Sequence, residues 1–302
     1  MNVPLKLSRI PTAAAVLSVV TVAAACGEST TTPPAPEPNI VEVAEQAGSF
    51  QTLLAAAEAA GLAETLASEE LTVFAPTDEA FAALPDGVVE YLLDNPELLA
   101  EVLTYHVVAG RVTAAQVAGV SSVETLNGQS VAVATEGSTV RIGTATVVQA
   151  DIEASNGIIH VIDDVLTPLV DLVTTARLNG NFTTLLAALE AAGLDEVLRG
   201  MEGEYTIFAP TDAAFAEIPQ DDLDALLADS DALTAVLLYH AASGTIPASE
   251  VVTRSSIETL QGGSLSVSVN GDVVTVGSAT VVATDVAASN GVIHVIDGVL
   301  IP

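Results

Sequence analysis

From about residue 40 onward the chain alternates between two hydrophobic periods. In GSFQTLLAAAEAAGL (48–62), Phe50, Leu53, Leu54 and Ala57 recur at helical spacing and Gly61 supplies a stop. GNFTTLLAALEAAGL (180–194) repeats this with Phe182, Leu185, Leu186, Leu189 and Gly193. Ser49 and Asn181 are the matched N-cap candidates. LTVFAP (71–76) and YTIFAP (205–210) read as short buried strands ended by proline. Thr77-Asp78 and Thr211-Asp212 then suit a helix start, where free N–H groups need an acceptor. A Leu-rich helical stretch leads into Tyr105-His106. Beyond it the period drops to two in QSVAVAT, TVRIG, TATVVQAD and GIIHVID. The later counterpart SLSVSVNGDVVTVG carries Asn270-Gly271, a hairpin turn signal. Helices followed by a mostly antiparallel sheet predict an α+β fold.

The pattern is one unit written twice. TVFAPTDEAF (72–81) returns as TIFAPTDAAF (206–215), and VETLNG (123–128) as IETLQG (257–262). YHVVAG (105–110) returns as YHAASG (239–244), and SNGIIHVIDDVLTP (155–168) as SNGVIHVIDGVLIP (289–302). These pairs are 134 residues apart, whereas the first helical pair is 132 apart. Two residues therefore enter between Leu198 and Thr206, as expected for a loop between packed elements. A period this long indicates duplicated domains and not a solenoid. The expected limits are 40–168 and 169–302. LVDLVTTARL (169–178) already reads as helical, so little linker separates the units and they should be close neighbours.

Charge and the N-terminal segment narrow the setting. Seven Lys and Arg face 39 Asp and Glu, a formal charge of −32. Without Lys6 and Arg9, five Arg remain and the net becomes −34. Such a surface repels phosphate backbones and anionic headgroups, so nucleic acid is excluded as a partner and membrane contact is expected through a lipid anchor alone. The balance also suits a saline habitat, where repulsion is screened. Residues 1–25 read as a signal peptide: two early positive charges, then a small, apolar run too short to span a bilayer. The run ends at Cys26, the chain's one cysteine. That resembles a bacterial lipoprotein signal, with Cys26 as the lipidated residue; Ala23 departs from its pattern, and an ordinary cleavage site is the alternative. Residues 26–39, rich in Pro and Thr, form a spacer; thirteen extended residues reach roughly 40 Å.

FAPTDEAF, then YH, then SNGIIHVIDDVL, in that order and twice over, resemble the fasciclin domain. The resemblance covers both units. It implies an α+β wedge built on a β-sandwich with several helices, in proteins that are extracellular or surface-anchored and tied to adhesion and matrix contact. In animal members a Tyr-His pair and an Asp-Ile pair are linked to integrin binding. By position these are Tyr105, His106, Tyr239, His240, Asp151, Ile152 and Asp285, with Val286 departing from the pattern. A bacterium has no integrins, so the surface location carries over and that partner does not.

The four histidines are the remaining candidates for chemistry. No G-x-S-x-G, H-E-x-x-H or P-loop accompanies them. Each unit offers two histidines and no cysteine, so a metal would need His106 and His160 joined by Asp151 or Asp163. Hydrogen-bonded rings packed in strands are the favoured reading: in HVID, His160 shares a face with Ile162. Asp78, His160, Asp212 and His294 are accordingly expected to be structural. The acids of 220–224 lack the alternation of a calcium loop and read as a solvated helix start. The expected function is non-enzymatic adhesion or matrix contact at the cell envelope, with a surface or matrix protein or polysaccharide as partner and without a cofactor or metal. The alternative is a periplasmic or surface module that binds an apolar or carbohydrate ligand.

Overall fold

The computed structural model describes residues 37–302, apart from 138, 201 and 202. The leader, Cys26 and the spacer as far as residue 36 lie outside the described residues, as does part of the two-residue insertion. The first repeat opens with three helices, α1 (Ile40–Ala47), α2 (Gln51–Ala59) and α3 (Ala63–Ser68). Strand β1 (Leu71–Pro76) leads to α4 (Asp78–Ala82), α5 (Val88–Asp94) and α6 (Pro96–Tyr105). Then follow β2 (Val107–Ala109), α7 (Ala114–Val117), β3 (Ser122–Glu124), β4 (Ser130–Glu136), β5 (Thr139–Ile142), β6 (Ala145–Ala154) and β7 (Gly157–Ile162). The second repeat runs α8 (Leu172–Asn179), α9 (Thr183–Ala191), α10 (Asp195–Gly200), β8 (Tyr205–Pro210), α11 (Asp212–Ala216), α12 (Gln220–Ala228) and α13 (Ser230–Tyr239). It closes with β9 (Ala241–Ser243), α14 (Ala248–Val251), β10 (Ser256–Glu258), β11 (Ser264–Asn270), β12 (Val273–Val276), β13 (Ala279–Ala288) and β14 (Gly291–Ile296).

Each repeat holds seven strands in the order β2-β1-β7-β6-β5-β4-β3, matched by β9-β8-β14-β13-β12-β11-β10. Neighbours are antiparallel except β1 with β7 and β8 with β14, which run parallel. The first long strand thus pairs with the last, and this closes each domain. Side chains alternate across β1 and β7. Leu71, Val73, Ala75, Ile159 and Val161 face the helices and join Phe50, Leu53 and Leu103. Phe74 and Ile162 face the other way and pack with Val131, Val133 and Ile142 from β4 and β5, which fold over them. All six residues of β7 are buried, which explains its near-continuous apolar run.

The helix termini depart from expectation in one respect. Ser49 and Asn181 do not cap α2 and α9; Phe50 and Phe182 hold those positions and offer no side-chain acceptor. The acceptor arrives from the FAPTD segment instead. Asp78 accepts from the Gln51 and Thr52 amides at 3.2 and 2.8 Å, and Asp212 from those of Thr183 and Thr184 at 3.0 and 2.7 Å. Thr77 and Thr211 cap their own helices through Ala80 and Ala214. One short motif therefore starts two helices. The stop at Gly61 is as the spacing predicts: it sits at φ +70, and the Leu62 amide donates back to Ala57. The hairpin signal is displaced by one residue. Asn270 still pairs with Val273, so Gly271, at φ +63, and Asp272 make the turn.

The two repeats touch. Leu178 of α8 is buried in the helix-side core of the first repeat, together with Val170. The Arg177 guanidinium lies 4.7 Å above the Tyr91 ring. Gly180 packs on Pro85 so closely that a Cβ there would fall 2.0 Å from the proline Cβ. Among the described residues no helix is long and apolar enough to cross a membrane.

Candidate functional site

The SNG turns before β7 and β14 anchor each domain's beginning. The Asn156 carbonyl oxygen accepts from the Ile40 amide at 2.9 Å, and its amide nitrogen donates to the Leu66 and Glu69 carbonyls. Asn290 does the same for Leu172 and Leu198. The next residue must be glycine: a Cβ on Gly157 or Gly291 would sit 1.9 Å from the carbonyl oxygen of Leu71 or Tyr205. Sequence reasoning used this tripeptide as a landmark and missed its mechanical role.

His160 and His294 lie one turn of the ladder further on. Register places them beside Phe74 and Phe208, and the ring centroids stack at 5.6 Å in both repeats. The His160 Nε2 donates to the Val112 carbonyl at 2.9 Å, and its Nδ1 accepts from the Asp151 amide at 3.2 Å. His294 binds Ile246 and Asp285 in the same sense. Those partners fix the Nε2–H tautomer. The Asp151 amide reaches inward because Asp151 bulges from β6 in the left-handed region, φ +57; Asp285 is at φ +58. The carboxylates then cap the short helices α7 and α14 through the Ala114 and Ala248 amides, both at 2.9 Å.

His106 and His240 use the opposite tautomer. Each is the residue after a helix, and its Nδ1 donates back to a free helix-end carbonyl, Val102 at 2.7 Å or Val236 at 2.8 Å. Each Nε2 accepts an amide from the segment after the last strand, Leu166 or Leu300, at 2.9 Å. Burial pushes both imidazoles down to about 4, against the opposing pull of the carbonyl hydrogen bond and, at His106, of Asp164. They are neutral at pH 7.

These geometries correct the partner-contact expectation. His106 and His240 are 1% and 2% exposed, with both nitrogens engaged, and offer nothing to a partner. Ile152 packs against the helix-side core and Val286 against its counterpart. Tyr105 is half-buried, and burial raises its phenol; the Tyr239 hydroxyl donates to Ser264. Asp151 and Asp285 are the exposed members of the set. Three residues before each, Val148 and Val282 are 57% exposed at matched points of the bulged strands. Period-two reasoning could not single these out, because the bulges break the alternation there. Among the described residues no group of three or more His, Cys, Asp or Glu is placed to hold a metal.

A second feature distinguishes the repeats. Between α8, α9, α10 and the sheet of the second repeat lies a cavity of about 270 Å³. Its position in the first repeat, under α1, α2 and α3, holds about 30 Å³.

Comparison with known proteins places these features in a family. The fasciclin domain matches residues 48–168 and 180–302. The chain is 35% identical over 236 residues to the transforming growth factor-beta-induced protein ig-h3 of Sus scrofa, covering 76% of this chain and 34% of that one. It thus spans about a third of the length of the ig-h3 relatives. One stretch of 132 residues is 51% identical to the protein sll1483 of Synechocystis, covering 43% of this chain and 73% of that one. Another of 137 residues is 40% identical to the immunogenic protein MPB70 of Mycobacterium bovis, covering 43% and 68%. The chain belongs to the fasciclin-domain family and carries two such domains in tandem.

Proposed function

We propose that this chain is a non-enzymatic contact protein of the cell envelope, exported by residues 1–25, lipidated at Cys26 and held clear of the surface by the spacer to residue 39. The domain limits in this reading are 40–168 and 169–302, supported by the equivalent ties of Ile40 to Asn156 and Leu172 to Asn290. Adhesion and matrix contact are what the family resemblance implies. The observation that carries the reading is the division of labour in each repeat. The histidine nitrogens are engaged inside, while an exposed valine and an exposed aspartate recur at matched positions of the same bulged strand in both repeats. An exposed apolar side chain and a fixed charge on one strand suit a protein or polysaccharide partner better than a reaction. Anionic partners are disfavoured by the net charge.

The test is binding of the mature chain to immobilised envelope and matrix fractions. A variant with Val148→Asp and Val282→Asp should lose most of the binding while melting normally. Unchanged binding would remove this face from the proposal. Mass spectrometry of the mature N-terminus tests the anchor separately: a chain that begins elsewhere, without lipid mass, would end that part.

A further inference from the structure

The cavity of the second repeat is walled by hydrocarbon. Leu172, Ala176, Leu185, Leu189, Leu237 and Ile293 are among its buried lining. The one titratable side chain on the wall, His240, already has both nitrogens engaged by Val236 and Leu300. An occupant would therefore find no hydrogen-bond partner and no charge. Water is a poor filler of such a space, because it needs two to four polar neighbours; apolar cavities of about 150 Å³ stay dry and take up benzene or xenon. At roughly 30 Å³ per water-sized group, about 270 Å³ holds about nine such groups, a medium aliphatic chain.

The cavity has a mouth. Val197 on α10 lines it and is 46% exposed, and Leu194, Ile207 and Leu238 beside it are partly exposed. The position of Ile207 in the first repeat is Val73, which is buried. On the floor, Ala241 stands where the first repeat has Val107. Asp195 and Glu196 sit on α10 next to Val197, in a chain of net charge −32, so an anionic head at the mouth is repelled.

We infer that the second repeat is a binding site for an uncharged aliphatic chain of medium length, and that the first repeat is not. The inference is independent of the surface-contact reading, since the site is internal and lies on a different part of the domain from Val148 and Val282. The occupant is selected by shape and by the absence of charge.

The experiment is a titration of the full mature chain with n-octanol, n-decanol and n-dodecanol, and with decanoate as the charged counterpart. Binding is followed by calorimetry and by the NMR signals of methyl groups in both repeats. Saturable binding of one alcohol per chain is expected, with shifts at Leu185, Leu189 and Ile293 and none at Leu53 or Ile159. Ala241→Val, which restores the residue of the first repeat, and Ala176→Leu, which fills the cavity, should each weaken binding about tenfold or more, the scale of a mismatched methylene in an apolar pocket. Should Ala176→Leu fail to fold, Ala241→Val still decides. Absence of saturable alcohol binding, or binding unmoved by Ala241→Val, would overturn the site. Decanoate binding as tightly as decanol would overturn the assignment of an uncharged ligand. Neither result bears on adhesion by the outer face.

Discussion

The two repeats share a polar skeleton and differ in apolar filling. Both have the same Asp cap on the second helix, the same pair of opposite histidine tautomers, the same left-handed aspartate and the same Asn-Gly turn. Yet the space under the helices shrinks to about 30 Å³ in one and opens to about 270 Å³ in the other. The exchanges across that space do not balance. On the helix side Ala57 becomes Leu189; on the strands beneath, Val73 becomes Ile207 but Val107 becomes Ala241, so side-chain volume alone does not open the space. Hydrogen bonds have strict partners and hold the backbone of both copies in place. Hydrocarbon contacts are non-directional and leave room for one copy to drift.

The largest expected effect compares the buried helix-end histidines. Replacing His106 by Ala leaves the Val102 carbonyl and the Leu166 amide without partners and creates a cavity in a tightly packed wall. A loss of about 4 kcal/mol is expected in denaturant unfolding. His240→Ala deletes the same bonds beside a wall that is already open. Its neighbours can relax into that space, so about 2 kcal/mol is expected. Equal costs at the two sites would mean that the cavity does not soften the second repeat.

Acid pH probes the same pair from another side. An imidazole whose folded value is about 4 and whose unfolded value is near 6.5 binds more protons when unfolded across that window. Stability is therefore full above pH 6.5, falls as pH drops toward 4, and loses nothing more from these groups below it. The expected loss is about 3 kcal/mol per histidine. Asp78 and Asp212 act lower. Burial alone would raise them, but the amide hydrogen bonds outweigh it and hold both below the ordinary carboxylate value. Their contribution is present above that value and disappears below it. His106→Ala should flatten about half of the slope between pH 6.5 and 4. A slope unchanged in that variant would assign the acid sensitivity elsewhere.

How much of this was legible in the sequence follows from the kind of force involved. The duplication, the α+β order, the two-residue insertion and the short strands came from periodicity and identity, which a one-dimensional string displays directly. The fate of Asp78 did not. It lies beside Thr77 in sequence, where a local cap was the natural expectation, but its carboxylate reaches back to Gln51 and Thr52. His106 stood beside Tyr105 as a candidate contact through the family resemblance, because nothing in the string shows that a helix-end carbonyl and the Leu166 amide converge on one ring. The bulge that turns Asp151 inward through its amide and outward through its carboxylate was hidden for the same reason. The cavity was the least legible feature: it is bounded by helices and strands distant in sequence, whose spacing no string displays.

The aspartate caps give a middle-sized contrast. Asp78→Ala and Asp212→Ala each remove a carboxylate that satisfies two helix-start amides. Asp212 also accepts from the Thr183 hydroxyl at 2.9 Å. Expected losses are about 1 kcal/mol for Asp78 and about 1.5–2 kcal/mol for Asp212, read as shifts in unfolding midpoint at constant slope. A larger loss at Asp78 would indicate that its helix start is the less tolerant of the two.

The last contrast is the most discriminating, because its sign differs between the repeats. Val107→Ala removes two methyl groups from a wall with little free space, so about 2 kcal/mol of stability should be lost. The reverse change, Ala241→Val, normally carries a risk of overpacking. Here Ala241 lines the cavity of about 270 Å³, which leaves room for the new methyl groups. They add buried apolar area at about 0.8 kcal/mol per methylene-sized group, offset in part by the restricted χ1 of valine. The net expectation is a gain of about 0.5–1 kcal/mol in the ligand-free chain, seen as a higher melting temperature. Taken with weaker binding of decanol, that gain identifies Ala241 as a residue that leaves room at the expense of packing. A destabilised Ala241→Val would mean that the floor of the cavity closes in solution, and the contrast between the two repeats would then vanish.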